Sequence, residues 1–231
     1  GIWQIPGDIS IEGVDIIVGN GGTLKFTGKI QLGVSSRIIV MAGGCIDCGD
    51  ASNAKIYCDQ KENLIYNAGT IDTNIIELSN GAQLYNANNN SVITVNTIKS
   101  SGGGETIGWD QTTNSPILRE EKIINGGKIE AGEITSNGMQ GELYNGCLIH
   151  ADYIKVKRLS LKETSTIEDV ITISCDEYYL RENSIVRATT VKTFNGKLSI
   201  NFIGNEGHAL ISANTIDLSG DNIEIESINQ K

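Results

Sequence analysis

Apolar residues recur at every second position along this chain, in runs of about three to five residues. In Tyr153-Ile154-Lys155-Val156-Lys157, Ile154 and Val156 fall on one side and the two lysines on the other. Ile171-Thr172-Ile173-Ser174-Cys175 and Asn222-Ile223-Glu224-Ile225-Glu226 repeat the alternation. A period of two marks strands with one buried face. No window of about ten residues carries the 3.6-residue stripe of an amphipathic helix.

The runs themselves repeat. A small or polar turn residue, one further residue and then an apolar residue open each of Gly22-Thr23-Leu24, Gly44-Cys45-Ile46, Gly69-Thr70-Ile71 and Asn90-Ser91-Val92. The same pattern opens Gly127-Lys128-Ile129, Gly146-Cys147-Leu148, Ser165-Thr166-Ile167, Asn183-Ser184-Ile185 and Gly196-Lys197-Leu198, with Asp221-Asn222-Ile223 a looser member. The first eight turn residues are spaced 22, 25, 21, 37, 19, 19 and 18 apart. The interval of 37 is read as nearly two repeats, with one unit disguised around residue 108. A second motif recurs upstream of the turns: Ile16-Ile17-Val18, Ile38-Ile39-Val40, Leu64-Ile65-Tyr66-Asn67, Leu84-Tyr85-Asn86, Ile123-Ile124-Asn125 and Leu143-Tyr144-Asn145.

Short strands, turn residues and a period near 20 describe an all-β fold, a right-handed parallel β-helix (β-solenoid) of roughly ten coils. At one inter-strand spacing per coil, such a rod is about 45–50 Å long. Its expected inner ladder is Leu24, Ile46, Ile71, Val92, Ile129, Leu148, Ile167, Ile185, Leu198 and Ile223. A β-sandwich is the alternative, but it calls for longer strands and more aromatic core residues. Residues 1–231 are read as one solenoid domain, interrupted by an irregular excursion at residues 100–121, where three glycines, a proline and a polar run surround Trp109.

Composition narrows the picture. The 231 residues include 36 Ile, 22 Asn and 27 Gly against 2 Pro and 3 Phe. That balance suits pleated surfaces joined by tight turns. A net charge of -10 argues against nucleic acid as a partner. No apolar run is long enough for a membrane-spanning helix. The chain opens Gly1-Ile2-Trp3-Gln4 without a basic or apolar leader segment, so a signal peptide is absent from it and it is read as a trimmed mature chain. Ile2-Trp3-Gln4-Ile5-Pro6 is suited to covering the first coil. Ile223 to Lys231 shows no evident cap, which makes end-to-end self-association an expectation.

Candidate chemistry is sparse. Cys45 and Cys48 have the spacing of a redox or zinc pair, but on a strand residues three apart point to opposite faces. The five cysteines are read chiefly as small buried hydrophobes, with a disulfide from Cys58 to Cys45 or Cys48 left open. His150 and His208 lack a Gly-x-Ser-x-Gly partner, and His150 is expected to face solvent. Glu120-Glu121, Glu168-Asp169 and Asp176-Glu177 are adjacent pairs, expected to point opposite ways as solvated surface charge. Asn67, Asn86, Asn125 and Asn145 admit two readings: left-handed corners, or a ladder of stacked amides. Tyr66, Tyr85 and Tyr144, each just before one of these asparagines, form either an aromatic stack or a sugar-binding strip. Together with Trp109 they are the candidate ligand-binding residues. No catalytic residue, metal ligand or cofactor is assigned.

Glu142-Leu143-Tyr144-Asn145-Gly146-Cys147-Leu148-Ile149, Ser165-Thr166-Ile167 and Asn183-Ser184-Ile185-Val186-Arg187-Ala188 resemble the β-solenoid repeats of secreted Bacteroidetes surface proteins. In particular they are similar to repeats in proteins bearing an LruC domain. The resemblance spans about residues 15 to 225 and implies an exported, extracellular or cell-envelope protein. The function expected is a non-enzymatic, adhesin-like rod displaying loops to a glycan or protein at the cell surface. A carbohydrate-active β-helix enzyme (polysaccharide lyase or hydrolase) and a scaffold that self-assembles through its coil ends are the alternatives.

Overall fold

In the computed structural model, the structure describes residues 1–60, 62–101, 105–110, 115–119, 122–136, 142–193, 197–203, 208–217 and 222–228. The side chains of 105–119, 142, 197, 203 and 222–228 are outside this description. The chain winds as a β-solenoid of parallel strands. Strands from successive coils stack in three files, each strand pairing in register with its equivalents one coil before and after.

The first file holds the predicted inner ladder, and its register runs through Trp3, Leu24, Ile46, Ile71, Ile93, Ile129, Ile149, Ile167, Val186 and Ile211. This corrects three predicted positions. Val92, Leu148 and Ile185 lie at the outward position, in register with Thr70, Lys128 and Thr166, and are half-buried. Their neighbours Ile93, Ile149 and Val186 are fully enclosed. In each case two apolar residues stand side by side, so alternation alone could be phased either way. Pairing with the coils on both sides decides between them. Leu24, Ile46, Ile71, Ile129, Ile167 and Leu198 are buried as expected, although Leu198 belongs to the third file. The side chain of Ile223 lies outside the described residues.

The second file is an isoleucine stack. Ile30, Ile56, Ile76, Ile98, Ile134, Ile154 and Ile173 follow one another in register, and all are essentially inaccessible. Branching at Cβ restricts each side chain to a rotamer that suits the pleat, so identical residues nest from coil to coil. Burying one such side chain contributes about 1.5–3 kcal/mol. No single coil encloses its own isoleucine, so the stack is the cooperative unit.

The third file is built from the upstream motif. Ile16, Ile38, Ile65, Leu84, Ile123 and Leu143 point inward in register. Leu159 and Tyr178 continue the series. At the corner leading back to the first file, glycine is required where coils approach closely. A Cβ on Gly69 would stand 2.3 Å from the Gly44 carbonyl oxygen, and one on Gly127 would stand 2.4 Å from that of Ser91.

The long interval in the repeat contains no hidden coil. Val92–Ser100 pairs directly with Lys128–Ser136, and Gln83–Asn86 pairs with Lys122–Asn125. The intervening chain leaves the coil as an antiparallel hairpin of Glu105–Asp110 and Ser115–Arg119, with Trp109 opposite Pro116. Where the sequence reads as an irregular loop, the backbone forms a ladder of its own. At the N-terminus, Ile2–Ile5 is itself the first strand of the first file. Trp3 shares a register line with Leu24 yet remains 57% exposed, so it joins the first coil rather than covering it.

Candidate functional site

On the outer side of the third file a half-exposed apolar line runs along the solenoid: Ile17, Ile39, Tyr66, Tyr85, Ile124 and Tyr144, in register. The Tyr66 and Tyr85 rings stack, with centroids 5.6 Å apart and planes at 20°. Both tyrosines are half-buried on the outer side of the strand. Tyr144 shares the line but is separated from Tyr85 by Ile124. Beyond Ser160 the line continues to Tyr179, whose ring lies 5.4 Å from the Arg158 guanidinium; Arg158 is itself paired to Glu177 at 3.0 Å. Leu180, not Asn, follows Tyr179, so the sequence motif does not mark it. Only register places it with the other three tyrosines. The side chain of Trp109 lies outside the described residues.

The inward residue following each tyrosine fixes the strand that carries it. Val18 and Val40 occupy this position in the first coils, and Leu161 and Leu180 in later ones. Between them stand Asn67, Asn86, Asn125 and Asn145, all fully buried. Asn67 Nδ2 donates to Asn86 Oδ1 at 2.9 Å, and Asn86 Nδ2 to Asn125 Oδ1 at 2.8 Å. Asn125 Nδ2 donates to Asn145 Oδ1 at 2.9 Å. Second amide hydrogens reach the carbonyls of Val92, Lys128, Leu148 and Thr166. Three of the side-chain oxygens accept from the backbone N–H groups of Gly69, Gly127 and Cys147. Satisfied in this way, a buried polar column costs little and locks the register. None of the four has a positive φ; those conformations fall at Ser35, Glu62, Asn80, Thr164, Asp169 and Asn183 among non-glycines. The ladder reading therefore holds and the left-handed reading does not.

The Cys45-Ile46-Asp47-Cys48 segment makes no redox pair. Cys45 is half-buried on the outer side and Cys48 is buried at the corner; Cys58 lies in the core in register with Leu32 and Leu78. All five cysteines are free, which removes the disulfide left open for Cys58. Burial pushes the Cys58 and Cys175 thiols well up. Beside Cys45 and Cys48, Asp47 accepts from Gly49 N–H at 2.7 Å and pairs with Lys25 at 3.0 Å, and these contacts hold its carboxyl below the usual range. Asp72, directly in register with Asp47, is pushed up by partial desolvation and by the charges of Asp47 and Asp50. An open corner of about 270 Å³ lies over Asp50, Ser52, Asp72, Asn74 and Asn96.

The adjacent acidic pairs meet expectation only in part: Asp176 and Glu177 do point opposite ways, but Asp176 is not solvated. Asp176 is buried, while Glu177 is at the surface with Arg158. Glu168 and Asp169 do not diverge. The strand Thr166–Arg181 shifts register between Ile167 and Val170, and Asp169 takes a φ of 60°. Both carboxylates then lie beside His150: Nε2 is 3.2 Å from Glu168 Oε1 and Nδ1 is 4.0 Å from Asp169 Oδ2. His150 does lie on the outer side as expected, but with these two partners. His208 is exposed. The pair Glu120-Glu121 lies outside the described residues.

No helix among the described residues is long and apolar enough to cross a membrane. No protein-family model matches the sequence, and neither does any curated protein. Among solved structures, the chain is similar to the C-terminal domain of a tapirin from Caldicellulosiruptor kristjanssonii, with 15% identity and a TM-score of 0.36 over 99% of this chain and 52% of that one. The chain thus spans about half the length of that domain.

Proposed function

We propose that this chain is a non-enzymatic rod module acting outside the cell or at a bacterial cell surface, and that its third-file outer line contacts a neutral, extended polysaccharide. The single observation that carries the ligand reading is the Tyr66–Tyr85 stack on an outward line that is apolar or aromatic from Ile17 to Tyr144. Repetition once per coil suits an elongated ligand lying along the rod, because each tyrosine offers an apolar body for a sugar's C–H face and a phenolic hydroxyl for its hydroxyls. The net charge of -10 favours a neutral glycan over an acidic one, because like charge lowers the local concentration of a polyanion. The resemblance of the repeats to those of secreted Bacteroidetes surface proteins supports the extracellular placement.

The test is retention of the full chain on a panel of insoluble neutral polysaccharides, alongside a Tyr66→Ala/Tyr85→Ala double variant whose β signature is checked by circular dichroism. Retention of the parent chain, loss of retention in the variant and no release of reducing sugar are expected. Equal retention of both proteins, or none of the parent on any neutral glycan, would overturn the ligand reading. Steady release of sugar would overturn the non-enzymatic one.

A further inference from the structure

We propose that His150, Glu168 and Asp169 form a surface site for a divalent first-row transition metal ion of the zinc type. The three residues come from adjacent coils, and one ligand atom from each lies within 4.8 Å of the others. Zinc bonds to imidazole nitrogen and carboxylate oxygen are about 2.0–2.2 Å long, so tetrahedral ligand atoms stand about 3.4 Å apart. The His150 Nε2 to Glu168 Oε1 separation of 3.2 Å is already close to that spacing. Glu168 is held in place from behind: Arg187 Nη1 lies 3.3 Å from Oε2, which leaves Oε1 turned to the histidine. Outer partners of this kind orient a ligating carboxylate.

The neighbouring charges fit as well. Glu130, in register with His150 on the other side, is engaged by Lys128 at 2.5 Å. The ladder His150–Glu168–Arg187 is complete without Asp169, yet the register shift sets a second carboxylate 4.0 Å from the other ring nitrogen, Nδ1, and a single ring nitrogen still lies within 4.8 Å of an oxygen of each carboxylate. One imidazole with two carboxylates suits zinc, cobalt or nickel. Calcium and magnesium take all-oxygen shells, and copper(I) takes thiolates. Three protein ligands leave at least one position open to water or to a donor from a partner.

The site is on the first file, remote in the repeat from the tyrosine line, so it stands or falls independently of the glycan reading. The full chain is titrated with zinc chloride calorimetrically in a non-chelating buffer and with cobalt(II) by visible absorption. One equivalent is expected, without the near-ultraviolet band of cobalt–thiolate bonding, and with a rise in thermal midpoint. His150→Ala and Asp169→Asn should each weaken binding at least tenfold and remove the midpoint shift, while His208→Ala should retain both. Circular dichroism confirms that the variants, altered only on the outer surface, keep the fold. Undiminished binding by His150→Ala, a thiolate band, or no binding by the parent chain would overturn the site.

Discussion

The side-chain amide of Asn86 donates to the side-chain oxygen of Asn125 at 2.8 Å across 39 residues of sequence. The separation is so long because the chain between them carries the hairpin of Glu105–Asp110 and Ser115–Arg119, yet the two strands are direct neighbours. The buried amide column continues through the coil that bears the largest insertion, and so it marks which strands belong side by side.

Breaking this column in the middle should cost more than replacing it whole. Asn125→Leu removes the acceptor for Asn86 Nδ2, the donor to Asn145 Oδ1 and to the Leu148 carbonyl, and the acceptor for Gly127 N–H. A loss of about 3 kcal/mol in urea unfolding is expected, since each buried group left unpaired costs about 1–3 kcal/mol and some keep a second partner. Replacing all four asparagines with Leu, the residue already present at Leu161 and Leu180, should cost clearly less than the sum of the four single changes. Additive costs would mean that the amides act separately.

The register correction can be tested on adjacent residues. Ile149→Asp places a carboxylate in the fully buried ladder and should destabilise by about 4 kcal/mol or more. Leu148→Asp alters the half-exposed outer position in register with Lys128 and should leave the thermal midpoint within a few degrees of the parent. The opposite order would restore the phase that alternation alone suggests.

Asp72 should oppose folding at neutral pH. Its folded-state pKa is raised, so its contribution favours the fold while it is protonated and is lost as pH rises through the folded value. Asp72→Asn, which relieves repulsion from the in-register Asp47, should stabilise by about 0.5 kcal/mol at pH 7. The gain should vanish near pH 3. Denaturant midpoints of both proteins at the two pH values measure it.

Thiol chemistry should report the packing. A thiol reagent under native conditions should modify the half-buried Cys45 and Cys147, while Cys58 and Cys175 react only on unfolding. Burial both excludes the reagent from these two and disfavours their thiolates. Rapid native labelling at Cys58 would mean that the core of the early coils opens readily.

The sequence by itself determined the class of fold. Alternation in Ile154-Lys155-Val156 gave strands, and the recurrence from Ile16-Ile17-Val18 to Leu143-Tyr144-Asn145 gave parallel stacking, because equivalent residues in successive coils pack only on one another. It also supplied the asparagine and tyrosine files, since turn spacing brings each Asn of the motif to the same corner. What only tertiary structure decided was phase and convergence. Val92-Ile93, Leu148-Ile149 and Ile185-Val186 are apolar at both positions, and which residue points inward depends on hydrogen bonds to coils about 20 residues away. Ser91 and Gly127 flank an insertion that spacing counts as a repeat but that pairing shows to be a hairpin. Glu168 and Asp169 meet His150 because one residue with positive φ breaks the alternation that would have sent them apart. Periodicity is a local property of the chain, whereas a bulge and its consequences exist only where one coil lies against the next.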